Sequence, residues 1–196
     1  MAPGRGRLIA VEGIDGAGKT TLAEGLSRAL PDLVVLREPG GAVVSERIRA
    51  LVADPALEVS PRAEALLYAA ARAELVATKV VPLLEAGTTV LLDRYVDSSL
   101  AYQGAGRELG VGAIAALNAF ATGGLAADLT LYLRVPPDVG AARREGTDRL
   151  ERAGEEFFAR VVDAYDALAA ASDRYVVLDG TLAPDAVLAA ALNHLQ

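Results

Sequence analysis

Short apolar runs alternate along this chain with stretches of helical spacing, and turn residues or charges separate them. Residues 8–12 form the first run, apolar until Glu12 and closed by Gly13, which is the pattern of a strand buried on both faces. Residues 19–30 read as a helix stopped by Pro31, and 33–36 as a second strand followed by the polar turn Arg37-Glu38-Pro39-Gly40-Gly41. Residues 45–52 suit a short helix. Pro61 fits the first turn of a long helix running to residue 78, and Pro82 is placed to kink or end it. Residues 88–92 make the third strand, capped by Asp93 and Arg94, with helices expected over 98–103 and 111–121. A fourth strand covers 129–135, a helix begins at 136–144, and a charged stretch over 145–156 leads into a helix at 157–171. Residues 175–178 are the fifth strand and 184–195 the closing helix. Strands alternating with helices predict an α/β fold, a five-stranded parallel sheet covered on both faces. Ligands in such sheets bind at the carboxyl ends of strands, so the segments after Glu12, Leu36, Leu92 and Leu178 can share one pocket.

Composition narrows the class. The 196 residues are 53% apolar, which rules out a disordered chain, and no linker, repeat or like-charge run divides them, so one domain over 1–196 is expected. The net charge of −7 argues against a nucleic-acid scaffold. Cysteine is absent, which removes disulfides and thiolate metal sites and fits a cytoplasmic protein. No run is long enough to span a membrane, and the N-terminal apolar run meets Glu12 too soon for a signal peptide. Lysine occurs only at Lys19 and Lys79 in a chain that otherwise uses arginine, which suggests a specific need for a compact ammonium at position 19.

Lys19 lies in the strongest motif. Gly13-Ile14-Asp15-Gly16-Ala17-Gly18-Lys19-Thr20 satisfies G-x-x-x-x-G-K-[ST] between an expected strand and an expected helix. Glycines let such a loop curl so that successive N–H groups face one anion, and the helix N-terminus adds its positive end. Residues Gly13 through Thr20, with Thr21, therefore form the expected ATP-binding set. Lys19 would reach the β- and γ-phosphates, and the Thr20 hydroxyl would ligate Mg²⁺. The competing reading is an ordinary Gly-rich turn. Asp93 stands where such proteins hold magnesium or its water, and Arg94 where a cation bridges two phosphates; the alternative is a helix cap beside a surface arginine. Glu12 and Asp15 are carboxylates close to phosphates. They either orient the magnesium shell or lie near the acceptor, or are a strand-end glutamate held by backbone donors and a solvated loop aspartate.

Three further segments carry a family resemblance. Arg37-Glu38-Pro39-Gly40-Gly41 resembles the R-E-P-G-G segment of bacterial thymidylate kinases. Asp93-Arg94-Tyr95 with Ser98-Ser99-Leu100-Ala101-Tyr102-Gln103-Gly104 is similar to that family's D-R-[YH]…S-x-x-A-Y-Q-G, and Asp128-Leu129-Thr130-Leu131-Tyr132-Leu133 to its P-D-L-T-[LI]-Y-L strand, with Ala127 in place of proline. The resemblance implies a P-loop NTPase fold with a lid and transfer of a phosphoryl group from ATP to dTMP with Mg²⁺. It implies that Arg72 and Arg37 face the dTMP phosphate and that Glu38 and Pro39 shape the loop beside sugar and base. It places Tyr68 against thymine, Ser99 at the base edge, Tyr102 near the sugar C2′ and Gln103 among the substrate-binding residues. Plain core packing is the alternative for both tyrosines.

Asp148-Arg149-Leu150-Glu151 resembles the family's lid sequence, which sets a lid at about 144–154. Gly16 occupies the loop position where some members carry a basic residue, so the subtype implied is the one whose catalytic arginine comes from the lid. Arg149 is the candidate, joining Lys19, Arg94 and Asp15 in the expected catalytic set, with Arg144 and Arg152 as lesser choices. A solvated charged loop is the competing reading of the segment. A homodimer packed through helices is also implied. Two rivals remain at this level: another nucleoside monophosphate or deoxynucleoside kinase, and a nucleotide-driven switch ATPase.

Overall fold

The computed structural model describes residues 4–143 and 154–195. Its sheet has five parallel strands in the order β2-β3-β1-β4-β5: β1 Leu8–Glu12, β2 Val34–Arg37, β3 Val90–Asp93, β4 Leu129–Arg134 and β5 Tyr175–Asp179. Both faces are covered, and the alternation along β1 shows how. Ile9 and Val11 enter a core with Leu22, Leu26, Phe158 and Tyr165, while Leu8 and Ala10 enter the opposite one with Leu75, Val76, Val80 and Leu84. Because both faces are dry, the strand is apolar without a polar face.

The helices are α1 Lys19–Ala29, α2 Val43–Ala53, α3 Pro61–Leu75, α4 Val81–Glu85, α5 Val96–Ser99, α6 Val111–Thr122, α7 Pro137–Arg143, α8 Glu155–Ala170 and α9 Pro184–Leu192. Pro82 does not end the long helix. A π turn over Val76–Val80 joins α3 to α4, with the Val81 N–H donating to the Val76 carbonyl, so the widened turn accommodates a ring that an α-helical ladder would reject. The helix expected over 98–103 is longer and of mixed geometry: α5 runs directly into a π segment, Leu100–Gly106. Such segments are frequent at functional sites, and this one contains Tyr102 and Gln103.

The register brings the chemistry to one rim. Val11 and Arg37 both pair with Asp93, so the carboxyl ends of β1, β2 and β3 are level. Chain direction across the sheet reverses around β1, the switch point at which open α/β sheets bind ligands. No helix among the described residues is long and apolar enough to cross a membrane.

Candidate active site

The loop after β1 curls through three glycines with left-handed or related backbone, Gly13 (φ 142°), Gly16 (φ 82°) and Gly18 (φ 96°), before entering α1. Two of them also have no room for a side chain. A Cβ on Gly13 would lie 2.5 Å from the Leu133 carbonyl oxygen, and one on Gly16 would lie 2.3 Å from that of Gly140 in α7. The absence of a basic residue at position 16 thus has a steric cause. Lys19 folds back over the loop and donates to the Ile14 carbonyl at 2.8 Å. It is buried, and that burial, with the like charge of Arg94, lowers its pKa to about 8. Thr20 Oγ1 donates to Asp93 Oδ2 at 3.1 Å, which sets a hydroxyl and a carboxylate side by side at the end of β3.

Arg94 has positive φ (71°), a sterically costly conformation for a non-glycine residue. This backbone lets its guanidinium reach back to the loop. It donates to the Gly13 carbonyl at 3.1 Å and to Ser98 Oγ at 3.0 Å, and it pairs with Asp15. Tyr102 closes the knot: its hydroxyl donates to Asp15 Oδ2 at 2.9 Å and accepts from the Asp15 N–H at 3.2 Å. Burial works to raise the Asp15 carboxyl, but Arg94 and Lys19 outweigh it and hold the group well below the usual carboxylate range. Asp15 is therefore no solvated loop aspartate. Glu12 is fully buried beneath the knot and accepts backbone N–H bonds from Tyr95 and Ser98. Of its two readings, that of a glutamate held by backbone donors is the one observed.

Two cavities meet at this knot. The larger, 1380 Å³, lies over residues 15–21 and extends past Arg143 and Gly180 to Leu182 and Val187; Arg37, Asp93 and Arg94 also line it. Arg143 donates to the Gly180 carbonyl at 2.7 Å. The smaller, 130 Å³, is lined by Glu38, Pro39, Tyr68, Arg72, Ser99, Tyr102 and Gln103. Asp15, Arg94, Glu38 and Arg49 line both. The sequence-predicted acceptor residues are thus brought together, except that Arg37 faces only the larger cleft and spends its charge on Glu46 at 3.3 Å.

The guanidinium of Arg72 is buried and pairs with Glu38 at 2.6 Å. It also donates to Ser99 Oγ at 2.9 Å, to the Tyr95 carbonyl at 2.9 Å and to Asn118. Burial pushes the Glu38 carboxyl up to about 7 even against Arg72, and its Oε1 has no hydrogen-bond partner among the described residues. Arg149, Arg144 and Arg152 lie outside the described residues, as does most of the expected lid.

Sequence reading missed Arg49 and Asn118. Arg49 follows Ser45 by four positions and so shares its helical face, as does Val52; that spacing was a usable signal. Ser45 ties this face to α3 through the Ala71 carbonyl at 2.7 Å, and Arg49 donates to the Pro39 carbonyl at 3.0 Å. Asn118 is a lone amide in the apolar helix α6, another legible oddity.

Comparisons with known proteins agree with this geometry. The sequence profile of the family described as Thymidylate kinase matches residues 11–190. The chain is 47% identical over 176 residues to the thymidylate kinase of Enterococcus faecalis, covering 84% of this chain and 83% of that one. It is 47% identical over 189 residues to that of Deinococcus radiodurans, covering 92% of each. The crystal structure of thymidylate kinase from Ehrlichia chaffeensis superposes with a TM-score of 0.81 at 30% identity, over 99% of this chain and all of that one. With a phosphate loop joined through Arg94 to a second cavity, and with relatives matching along nearly its whole length, the chain belongs to the thymidylate kinase family.

Proposed function

We propose that this enzyme transfers the terminal phosphoryl group of ATP to dTMP, with the triphosphate in the larger cleft and dTMP in the smaller cavity. The observation that carries the reading is the Arg94–Asp15–Tyr102 knot, which borders both cavities and sets a fixed guanidinium where donor and acceptor phosphates would meet. Phosphoryl transfer asks little covalent chemistry of a protein; positioning and neutralisation of charge supply most of the rate. The acceptor oxygen is already ionised, so no general base is needed.

Loop N–H groups and Lys19 bind the triphosphate, and Lys19 leaves the Ile14 carbonyl to do so. Arg94 spans the two phosphates, and Arg49, bordering both cavities, adds charge on the acceptor side. Tyr68, Arg72, Ser99 and Gln103 take the base end: Arg72, already paired with Glu38, suits a neutral carbonyl better than a dianion. The Tyr102 ring, edge-on to Phe157 and Phe158, walls the sugar. Thr20 and Asp93 fit Mg²⁺, which needs few protein ligands when phosphates and water complete its shell. No cluster of three or more acidic or His side chains among the described residues offers an all-protein cage instead. Bound there, the ion would neutralise charge on the β- and γ-phosphates. Arg149 is retained as the transition-state cation on the D-R-L-E resemblance alone.

The working form we infer is a single-domain, cytoplasmic homodimer. Neighbouring helices α3 and α6 expose Leu66 and Phe120, with Phe120 89% accessible, which supports these helices as the subunit contact.

ADP release with ATP and Mg²⁺ tests the reading across acceptors. It is expected with dTMP and to fall to background with dAMP, with thymidine or with no acceptor. Sustained release without acceptor would favour a switch ATPase, and equal release with thymidine a nucleoside kinase.

A further inference from the structure

Glu12 takes no part in the mechanism above, yet every donor it accepts leads back to Arg94 or to α8. Its Oε1 accepts the N–H groups of Tyr95 and Ser98 at 2.8 and 3.1 Å, the two backbone donors that follow Arg94 into α5. Its Oε2 accepts the Ser98 hydroxyl at 2.6 Å and the Tyr165 hydroxyl at 2.8 Å. Ser98 Oγ in turn accepts from Arg94 Nη1 at 3.0 Å. A continuous path therefore runs from the guanidinium through one hydroxyl to a carboxylate with no solvent exposure.

Burying a carboxylate at a strand end is costly, and an apolar side chain there would serve the sheet as well. The turn that follows β3 explains the need. Arg94 is held at φ 71°, and a non-glycine residue stays there only when its surroundings over-determine it. Asp15 holds the guanidinium from the loop side, and Glu12 holds the turn and Ser98 from beneath. Tyr165, stacked on Tyr132 at 5.2 Å, anchors the carboxylate to α8.

We propose that Glu12 is a positioning residue for the transfer reaction, fixing the pose of Arg94 through Ser98 and the Tyr95–Ser98 backbone. The inference rests on the reading of Arg94 as the cation between donor and acceptor phosphates.

The test is a mutant cycle on the full chain: Glu12→Gln, Ser98→Ala and Arg94→Ala, singly, and each of the first two combined with the third, with steady-state kinetics and a melting curve for all. Glu12→Gln is expected to lower kcat by about ten- to a hundredfold with KM for ATP little changed, since a small misplacement of a reacting group costs that much. Ser98→Ala, which cuts the hydroxyl link but leaves the backbone bonds, should lower kcat less. In the Arg94→Ala background neither should reduce kcat further. If both variants melt earlier but keep wild-type kcat, or if their losses add to that of Arg94→Ala, Glu12 is only a structural group and the inference fails. Should Glu12→Gln not fold, Ser98→Ala decides by the same two criteria. A wild-type kcat for Arg94→Ala alone would instead overturn the role given to Arg94, a pattern distinct from additivity.

Discussion

Lys19 shows most clearly what the site costs its own fold. Burial beside Arg94 lowers its pKa to about 8 from 10.5, so carrying the charge at neutral pH costs the folded state about 3 kcal/mol. Between pH 8 and 10.5 the unfolded chain binds the proton and the folded one does not, so this penalty is fully present below pH 8 and disappears as pH rises through that window. Lys19→Met keeps the apolar stem and drops the charge. We expect it to abolish transfer and raise the melting temperature at pH 7, with the stability gain shrinking towards pH 10. Coupled ADP release and melts at both pH values check this; activity within a few-fold of wild type would remove Lys19 from the phosphate site. The candidacy of Lys19 could be read from the sequence because the motif and the scarcity of lysine coincide there. Its burial was not, nor was the pairing of Asp15 with Arg94, 79 positions apart, since both depend on segments distant in sequence meeting at a strand end. The same limit hid the surroundings of Arg72: helical spacing put it on one face with Tyr68, but only the fold brought Glu38 beside it.

Among the elements, the contact between the phosphate loop and α7 is the least forgiving. Gly16 and Gly140 approach so closely that a Cβ on either would overlap the other segment, 2.3 Å from the Gly140 oxygen in one case and 2.5 Å from Ile14 Cδ1 in the other. Gly16→Ala should therefore combine strain at φ 82° with a backbone clash, for about 1–3 kcal/mol of lost stability and weaker ATP binding. Gly124→Ala supplies the control, since φ is 79° there but no atom lies within 4 Å of the added carbon. Urea titration of both, with an ATP titration of the first, measures the difference. Equal losses would mean that the loop–helix contact adds nothing. The element order was legible from periodicity, which finds strands buried on both faces and the helices between them. The π turn before Pro82 and the π continuation of α5 were not, because sequence spacing carries no mark of where a ladder widens.

At the scale of the whole molecule, the level ends of β1, β2 and β3 gather segments far apart in sequence into one rim, and two cavities share it. The parallel sheet and its ligand-binding end followed from strand–helix alternation alone. The strand order, and with it the meeting of the two cavities at Arg94, needed three-dimensional register. The central claim is that this rim passes a phosphoryl group directly between two nucleotides. Incubation with Mg²⁺, dTMP and ATP labelled in its terminal phosphate tests it most directly. The label should appear in dTDP, one for each ADP formed, with none released when dTMP is omitted. Label recovered as inorganic phosphate, at a rate indifferent to dTMP, would contradict it.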